Sequence, residues 1–146
     1  MKLSTRSRYG LRLMFELGLE YGNGPVLLKD IAKREGISER YLGQLVIPLK
    51  NSGLINSIRG ARGGYLLSQN PAEISIKDII EVLEGDLNLV ECVKDDSLCN
   101  RVSICATRRI WALLGDNIKK VLNSFTLADL VKEHQGSKNN ILMYNI

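Results

Sequence analysis

Residues 28–49, Leu28-Lys29-Asp30-Ile31-Ala32-Lys33-Arg34-Glu35-Gly36-Ile37-Ser38-Glu39-Arg40-Tyr41-Leu42-Gly43-Gln44-Leu45-Val46-Ile47-Pro48-Leu49, fall into two short amphipathic stretches around a tight turn. Leu28, Ile31 and Ala32 share one side of the first stretch, as a short helix requires. Gly36 suits the left-handed residue just past a helix end. Ser38 then offers an N-cap, and Glu39 in the following first turn complements the helix dipole. The second helix turns Leu42, Leu45, Val46 and Leu49 to one side. Two such helices joined by a glycine-containing turn make a helix-turn-helix. Pro48 removes a backbone donor and predicts a kink or an early end to the second helix.

Immediately downstream, Leu54-Ile55-Asn56-Ser57-Ile58 and Tyr65-Leu66-Leu67-Ser68 are short strand-like runs. They flank Arg59-Gly60-Ala61-Arg62-Gly63-Gly64, so the pattern predicts a β-hairpin wing with a basic, glycine-rich turn. Upstream, Tyr9, Leu13, Leu17 and Tyr21 recur every fourth position and predict a helix from about Ser4 to Tyr21, closed by Gly22-Asn23-Gly24-Pro25. The fold class is therefore mainly α with a small β-hairpin. It is a winged helix-turn-helix over residues 1–70, followed by a long helix.

The second half changes character. Ser75-Ile76-Lys77-Asp78 has the spacing of a capping box, and Ile76, Ile79, Ile80 and Leu83 follow at helical intervals up to Gly85. Residues 71–103 are thus a connecting helix and a loop of low periodicity. From about Ile104 to Ser124 a long helix carries Ile110, Leu114, Ile118, Val121, Leu122 and Phe125 down one side, with Trp111 and Leu113 widening the stripe. Thr126-Leu127-Ala128-Asp129 opens a last short helix that completes a 104–134 unit. Residues 135–146, which include Gly136-Ser137-Lys138-Asn139-Asn140, are expected to be a flexible tail.

Charge separates the halves. Residues 1–70 hold eleven Lys/Arg against five Asp/Glu, and residues 71–146 hold nine against eleven. A basic half joined to a mildly acidic one points to a polyanion partner for the first half only. A helix entering the major groove needs donors near its exposed N-terminus. Ser38, Arg40, Tyr41 and Gln44 supply them, with Lys50 further along. Arg59, Arg62 and Gly63 of the wing suit a minor groove or phosphates. Tyr65 fits the packing of the wing better than a base contact. No apolar run approaches the ~20 residues of a membrane span, and the first residues lack a secretory pattern, so a cytoplasmic protein with no membrane association is expected. A Ser/His/Asp or Cys/His catalytic set is missing, because the single histidine, His134, lies near the tail. The glycines at 60–64 join two strands rather than opening a helix as a phosphate loop would. An enzyme is not expected.

Several motifs together resemble the bacterial regulator family of IscR and its relatives. They are Arg8-Tyr9, Gly24-Pro25-Val26, Asp30-Ile31, Gly36-Ile37-Ser38, Tyr41-Leu42 with Gln44-Leu45, Gly53-Leu54 and the whole Arg59–Leu67 wing. The resemblance continues through a cysteine triplet to Thr126-Leu127-Ala128-Asp129-Leu130. It implies a homodimeric, repressor-type transcription regulator bound to palindromic double-stranded promoter DNA. It also implies that the helix at about 104–124 crosses its twin at the dimer interface. Where the family's namesake has a DNA-tuning glutamate, between Leu42 and Gln44, this chain has Gly43.

The cysteines are Cys92, Cys99 and Cys105, spaced Cys-x6-Cys-x5-Cys, with none elsewhere. An odd number clustered on a polar loop suits a soft metal centre or a thiol sensor better than a disulfide framework. Zinc is disfavoured because neither Cys-x2-Cys nor a Cys/His pair is present. The resemblance implies an iron–sulfur cluster on these three residues, 2Fe-2S favoured and 4Fe-4S open. Its usual histidine ligand would stand three residues after the last cysteine, where this chain has Arg108. A carboxylate used by some relatives near position 8 is replaced by Arg8. The fourth ligand is thus left open among Glu91, Asp95, Asp96, Ser97, Ser103, His134, a small thiol and solvent. Two other readings stand beside this one. One is a cluster-free regulator controlled by thiol oxidation or a partner protein; the other, more remote, is a small iron–sulfur electron-transfer protein.

Overall fold

The computed structural model describes residues 2–144. Helix α1 spans Thr5–Leu19 and is capped by Ser4. Next come α2 (Leu28–Glu35) and α3 (Glu39–Asn51), the two helices of the helix-turn-helix. Gly36 adopts φ 64° and donates its N–H to the carbonyl of Ala32, the turn expected of it. Strands β1 (Ile55–Ile58) and β2 (Gly64–Leu67) pair antiparallel, Ile55 opposite Leu67 and Ile58 opposite Gly64. The wing is not free-standing. Val26 and Tyr65 exchange both backbone hydrogen bonds at 2.8 Å, tying β2 to the chain that enters α2.

After a single 3-10 turn at Pro71–Glu73 come α4 (Ile76–Glu84), the short α5 (Glu91–Lys94), α6 (Arg108–Ser124) and α7 (Leu127–Tyr144). Ser75 accepts from the Asp78 N–H at 3.0 Å, as the capping pattern predicts. Thr126 and Asp129 cap α7 reciprocally: the Thr126 N–H donates to the Asp129 carboxylate at 2.8 Å, and the Asp129 N–H to Thr126 Oγ1 at 3.2 Å. That reciprocity satisfies two N–H groups that otherwise lack helix partners.

One buried cluster holds these elements together. Leu13, Met14 and Leu17 of α1 meet Leu42, Leu45 and Leu49 of α3, Ile55 of the wing, Ile79 and Leu83 of α4, and Leu127 of α7. The core therefore crosses residue 70, and α4 with the start of α7 shares it with the winged half. Backbone bonds Ile76 N–H to Phe125 O and Leu127 N–H to Ile74 O, both 2.9 Å, fasten the two segments together. On the far side of α1, α2 is clamped by ion pairs: Arg34 with Glu16 at 3.2 Å and Glu20 at 3.4 Å, and Arg12 with Glu35 at 2.6 Å. Burial, reinforced by nearby Glu35, pushes the Glu16 carboxyl above the usual glutamate range against the opposing pull of Arg34.

Three boundaries differ from the sequence reading. Helix α3 continues past Pro48 to Asn51. The one helix bond Pro48 cannot make is to the carbonyl of Gln44, an exposed residue, so water can take its place. Helix α6 begins at Arg108 rather than 104, leaving Cys105 just ahead of it. Helix α7 continues through Gly136 to Tyr144 instead of ending near 134. Glycine costs a helix interior only about 1 kcal/mol against alanine, and no proline intervenes to break the backbone ladder. Of the expected tail, residues 145 and 146 lie outside the described residues.

Candidate nucleic-acid interface and cysteine loop

Helix α3 buries Leu42, Leu45, Val46 and Leu49, and so turns Arg40, Gln44, Ile47 and Asn51 to solvent. Ser38 is occupied as the cap: its hydroxyl accepts from the Tyr41 N–H at 3.1 Å. Tyr41 is half-buried against α1, where its ring meets Tyr9 edge-on at 5.9 Å and its hydroxyl lies 3.2 Å from Thr5 Oγ1. These contacts make Ser38 and Tyr41 the residues that set the pose of α3, whereas Arg40 and Gln44 project freely.

At the wing tip Arg59 and Arg62 are exposed, and neither makes an ion pair among the described residues. The same is true of Arg40 and Lys50, whereas Arg12 and Arg34 are neutralised by the α1–α2 clamp. Uncommitted positive charge is thus available on α3 and the wing tip to meet a phosphate backbone. Gly63 is buried inside the turn, donating to the Gly60 carbonyl at 3.0 Å. Any Cβ there would collide with the Ile58 carbonyl. Gly64, at φ 151°, would place a Cβ 2.5 Å from the Val26 carbonyl. Gly63 and Gly64 therefore shape the turn that presents the arginines. Ile47 was given no role by the sequence pattern, although its i+3 spacing from Gln44 puts it on the same face.

The cysteine loop joins α4 to α6. Cys92 sits in α5, Cys99 after a 3-10 turn at Asp96–Leu98, and Cys105 just before α6. All three are free thiols and half-buried. Cys105 Sγ is 3.4 Å from Thr107 Oγ1. That contact, with the Arg108 backbone N–H at the start of α6, holds the Cys105 thiol below its ordinary pKa. Asp95 accepts from the Ser97 N–H at 2.9 Å and hydroxyl at 2.6 Å, which lowers its carboxyl.

Arg108 stands where the family resemblance implies a histidine ligand. Its guanidinium donates to the Asp96 carboxylate at 2.5 Å and to the Cys92 carbonyl at 3.2 Å, stitching the loop to the first turn of α6. His134 is engaged elsewhere, edge-on to Phe15 of α1 at 5.2 Å. Among the described residues, no three His, Cys, Asp or Glu side chains converge on a common point. Arg108→Ala is expected to cost well under ~1 kcal/mol of global stability, because Asp96 is largely exposed. It should nonetheless speed amide hydrogen exchange several-fold across Cys92–Cys99 only, a local effect that exchange mass spectrometry resolves.

The outer side of α6 is bare. Ile110, Leu113, Leu114 and Val121 form one stripe, each 40% exposed or more, and Trp111 extends it.

The chain matches over residues 3–133 the family model Rrf2, described as an iron-dependent transcriptional regulator. It belongs to the Rrf2 family of transcriptional regulators. Among curated relatives, the HTH-type transcriptional regulator CymR of Bacillus subtilis (strain 168) is 45% identical over 144 residues, covering 99% of both chains. The solved structure of CymR, the global cysteine regulator of B. subtilis, superposes with TM-score 0.78 at 47% identity, covering 91% of this chain and 98% of that one. T. potens IscR gives TM-score 0.78 at 41% identity, covering 94% and 90%. The winged, mainly helical architecture is therefore that of Rrf2 regulators, and IscR is among the relatives, as the sequence resemblance implied. A DNA-binding transcription regulator, not an enzyme, is what this family membership establishes. No described helix is long and apolar enough to cross a membrane.

Proposed function

We propose that this Rrf2 regulator acts in the cytoplasm as a repressor-type homodimer on palindromic promoter DNA, with an iron–sulfur cluster on Cys92, Cys99 and Cys105 setting its affinity. In this reading α3 enters the major groove through Arg40 and Gln44, and Arg59 and Arg62 of the wing reach phosphates or the flanking minor groove. Two chains pair through the stripe on α6. A twofold dimer demands half-sites one helical turn or a multiple apart.

The observation that carries the DNA-binding half is that the exposed face of α3 and the wing tip both present cations, Arg40, Lys50, Arg59 and Arg62, that make no ion pair among the described residues. For the sensory half, the donor chemistry fits a cluster: three thiols on one solvent-reached loop, one of them held toward the thiolate that ligation requires. Such a group, when bound, supplies an iron centre sensitive to oxidants and iron supply. What the chain itself contributes is a loop tied to α6 at two places. Asp96 and the Cys92 carbonyl bind Arg108 on α6, and Asn88 Oδ1 accepts from Lys119 of α6 at 3.0 Å. A change in the loop is therefore felt at the start of the long helix.

A second reading, control through the thiols alone, is favoured by a specific observation. The donors do not converge, and Arg108 occupies the expected fourth position in an ion pair of its own. The relative named as a global cysteine regulator points the same way.

The test of the DNA reading is selection of bound duplexes from a randomised pool by the full-length chain. A twofold-symmetric consensus with half-sites about one turn apart is expected. Enrichment of nothing, or of an unrepeated single half-site, would contradict it.

A further inference from the structure

Ile47 lies on the solvent side of α3, 59% exposed. Positions 40, 44, 47 and 51 follow one another at helical spacing, so Ile47 stands in line with Arg40, Gln44 and Asn51, opposite the buried Leu42, Leu45, Val46 and Leu49. One turn before it comes Gly43. A Cβ placed there would meet nothing within 4 Å, so the helix surface is open down to the backbone. Helical side chains lean toward the helix N-terminus, which brings Ile47 to the edge of that opening. The result is a shallow notch in the helix surface, with an isoleucine at one edge and no side chain on its floor. The amide of Gln44 and the guanidinium of Arg40 flank it.

We propose that this notch reads a thymine: with α3 in the major groove, Ile47 packs against the C5-methyl of a thymine beside the base contacted by Gln44. This rests on the DNA-binding pose given above and names what that pose recognises. The occupant follows from groove chemistry. The thymine methyl is the one apolar group that base-pair edges present in the major groove. The other groups there are donors or acceptors, and an isoleucine pressed against them would strip their water and return no hydrogen bond. Gly43 completes the arrangement, because any larger side chain would fill the space the methyl enters. The flanking cation and amide hold the helix against the phosphates and the neighbouring base, bringing Ile47 into contact.

The experiment uses the full-length chain and a duplex selected from a randomised pool. In this duplex each thymine is replaced in turn by deoxyuridine, symmetrically in both half-sites, which removes only the methyl. One such position is expected to weaken wild-type binding about fourfold per half-site, the worth of one buried methyl. Ile47→Ser should bind the thymine and deoxyuridine duplexes equally, and Ile47→Val should keep most of the preference. Because Ile47 is exposed, both variants are expected to melt with the wild type, and that measurement accompanies the binding data. Wild-type indifference to deoxyuridine at every thymine overturns the proposal, as does an undiminished penalty in Ile47→Ser. A pool from which nothing is enriched overturns the DNA-binding pose itself, and this inference with it.

Discussion

Removing both wing arginines, Arg59→Ala with Arg62→Ala, is expected to weaken binding to the selected duplex about a hundredfold at physiological salt. The slope of log affinity against log salt should become shallower by about two, since each lost phosphate contact removes about 0.9 of slope. The physical reason is that these two guanidiniums are uncommitted. They are exposed and make no ion pair among the described residues, so nothing in the fold competes for them. The control is Arg12→Ala, which removes a cation already tied to Glu35 at 2.6 Å and to the Glu35 carbonyl. This control removes one cation where the wing variant removes two, and its salt slope should barely move rather than fall by the ~0.9 expected of one lost phosphate contact. Fluorescence anisotropy titrations at a series of salt concentrations measure both. A slope unchanged in the wing variant would place the DNA elsewhere on the surface.

The second large effect is on assembly. Leu114→Asp is expected to convert a particle of two chains into one of a single 16.3 kDa chain at micromolar concentration, as read by sedimentation equilibrium. Leu114 lies within the α6 stripe of Ile110, Leu113 and Val121, none of which is covered by the chain's own core. Pairing that stripe with its twin would bury a carboxylate without a partner, at a cost of several kcal/mol. The winged half should melt nearly unchanged, because α6 meets its buried cluster through Leu122 and not through Leu114. Affinity for a palindromic duplex should fall to that of a single half-site. A wild-type chain that is already monomeric would remove the premise.

How far the sequence could be read depends on the range of the interaction concerned. Gly36, Ser38 and Ser75 act within three or four residues of themselves, so their pattern announced the turn and both caps before any fold was known. The wing was equally legible, because strand, turn and strand are consecutive. Long-range partnerships were not. Nothing adjacent to Tyr41 reveals that its ring rests on Tyr9 of α1, so a pattern that marks it as a DNA contact misses its structural work. Nothing adjacent to Gly63 reveals that the carbonyl of Ile58 forbids a side chain there. The boundary at residue 70 was drawn where composition changes, but the core runs across it through Ile79, Leu83 and Leu127. Arg108 illustrates the point for the cysteine loop. Sequence marked it as unable to ligate, and only the fold shows it bound to Asp96 and the Cys92 carbonyl. The α7 extension escaped notice because Gly136 and its polar neighbours resemble a loop locally, although their summed helix penalty is small.

The most direct test of the account is anaerobic purification of wild type and Cys92→Ala, assayed for visible absorption, iron and sulfide, with affinity for the selected duplex measured on the same samples. The account predicts a coloured wild type with stoichiometric iron and sulfide, loss of both in Cys92→Ala, and a changed duplex affinity when they are lost. A colourless wild type, without iron even after reconstitution, would contradict the cluster and leave a DNA-binding regulator governed through its thiols.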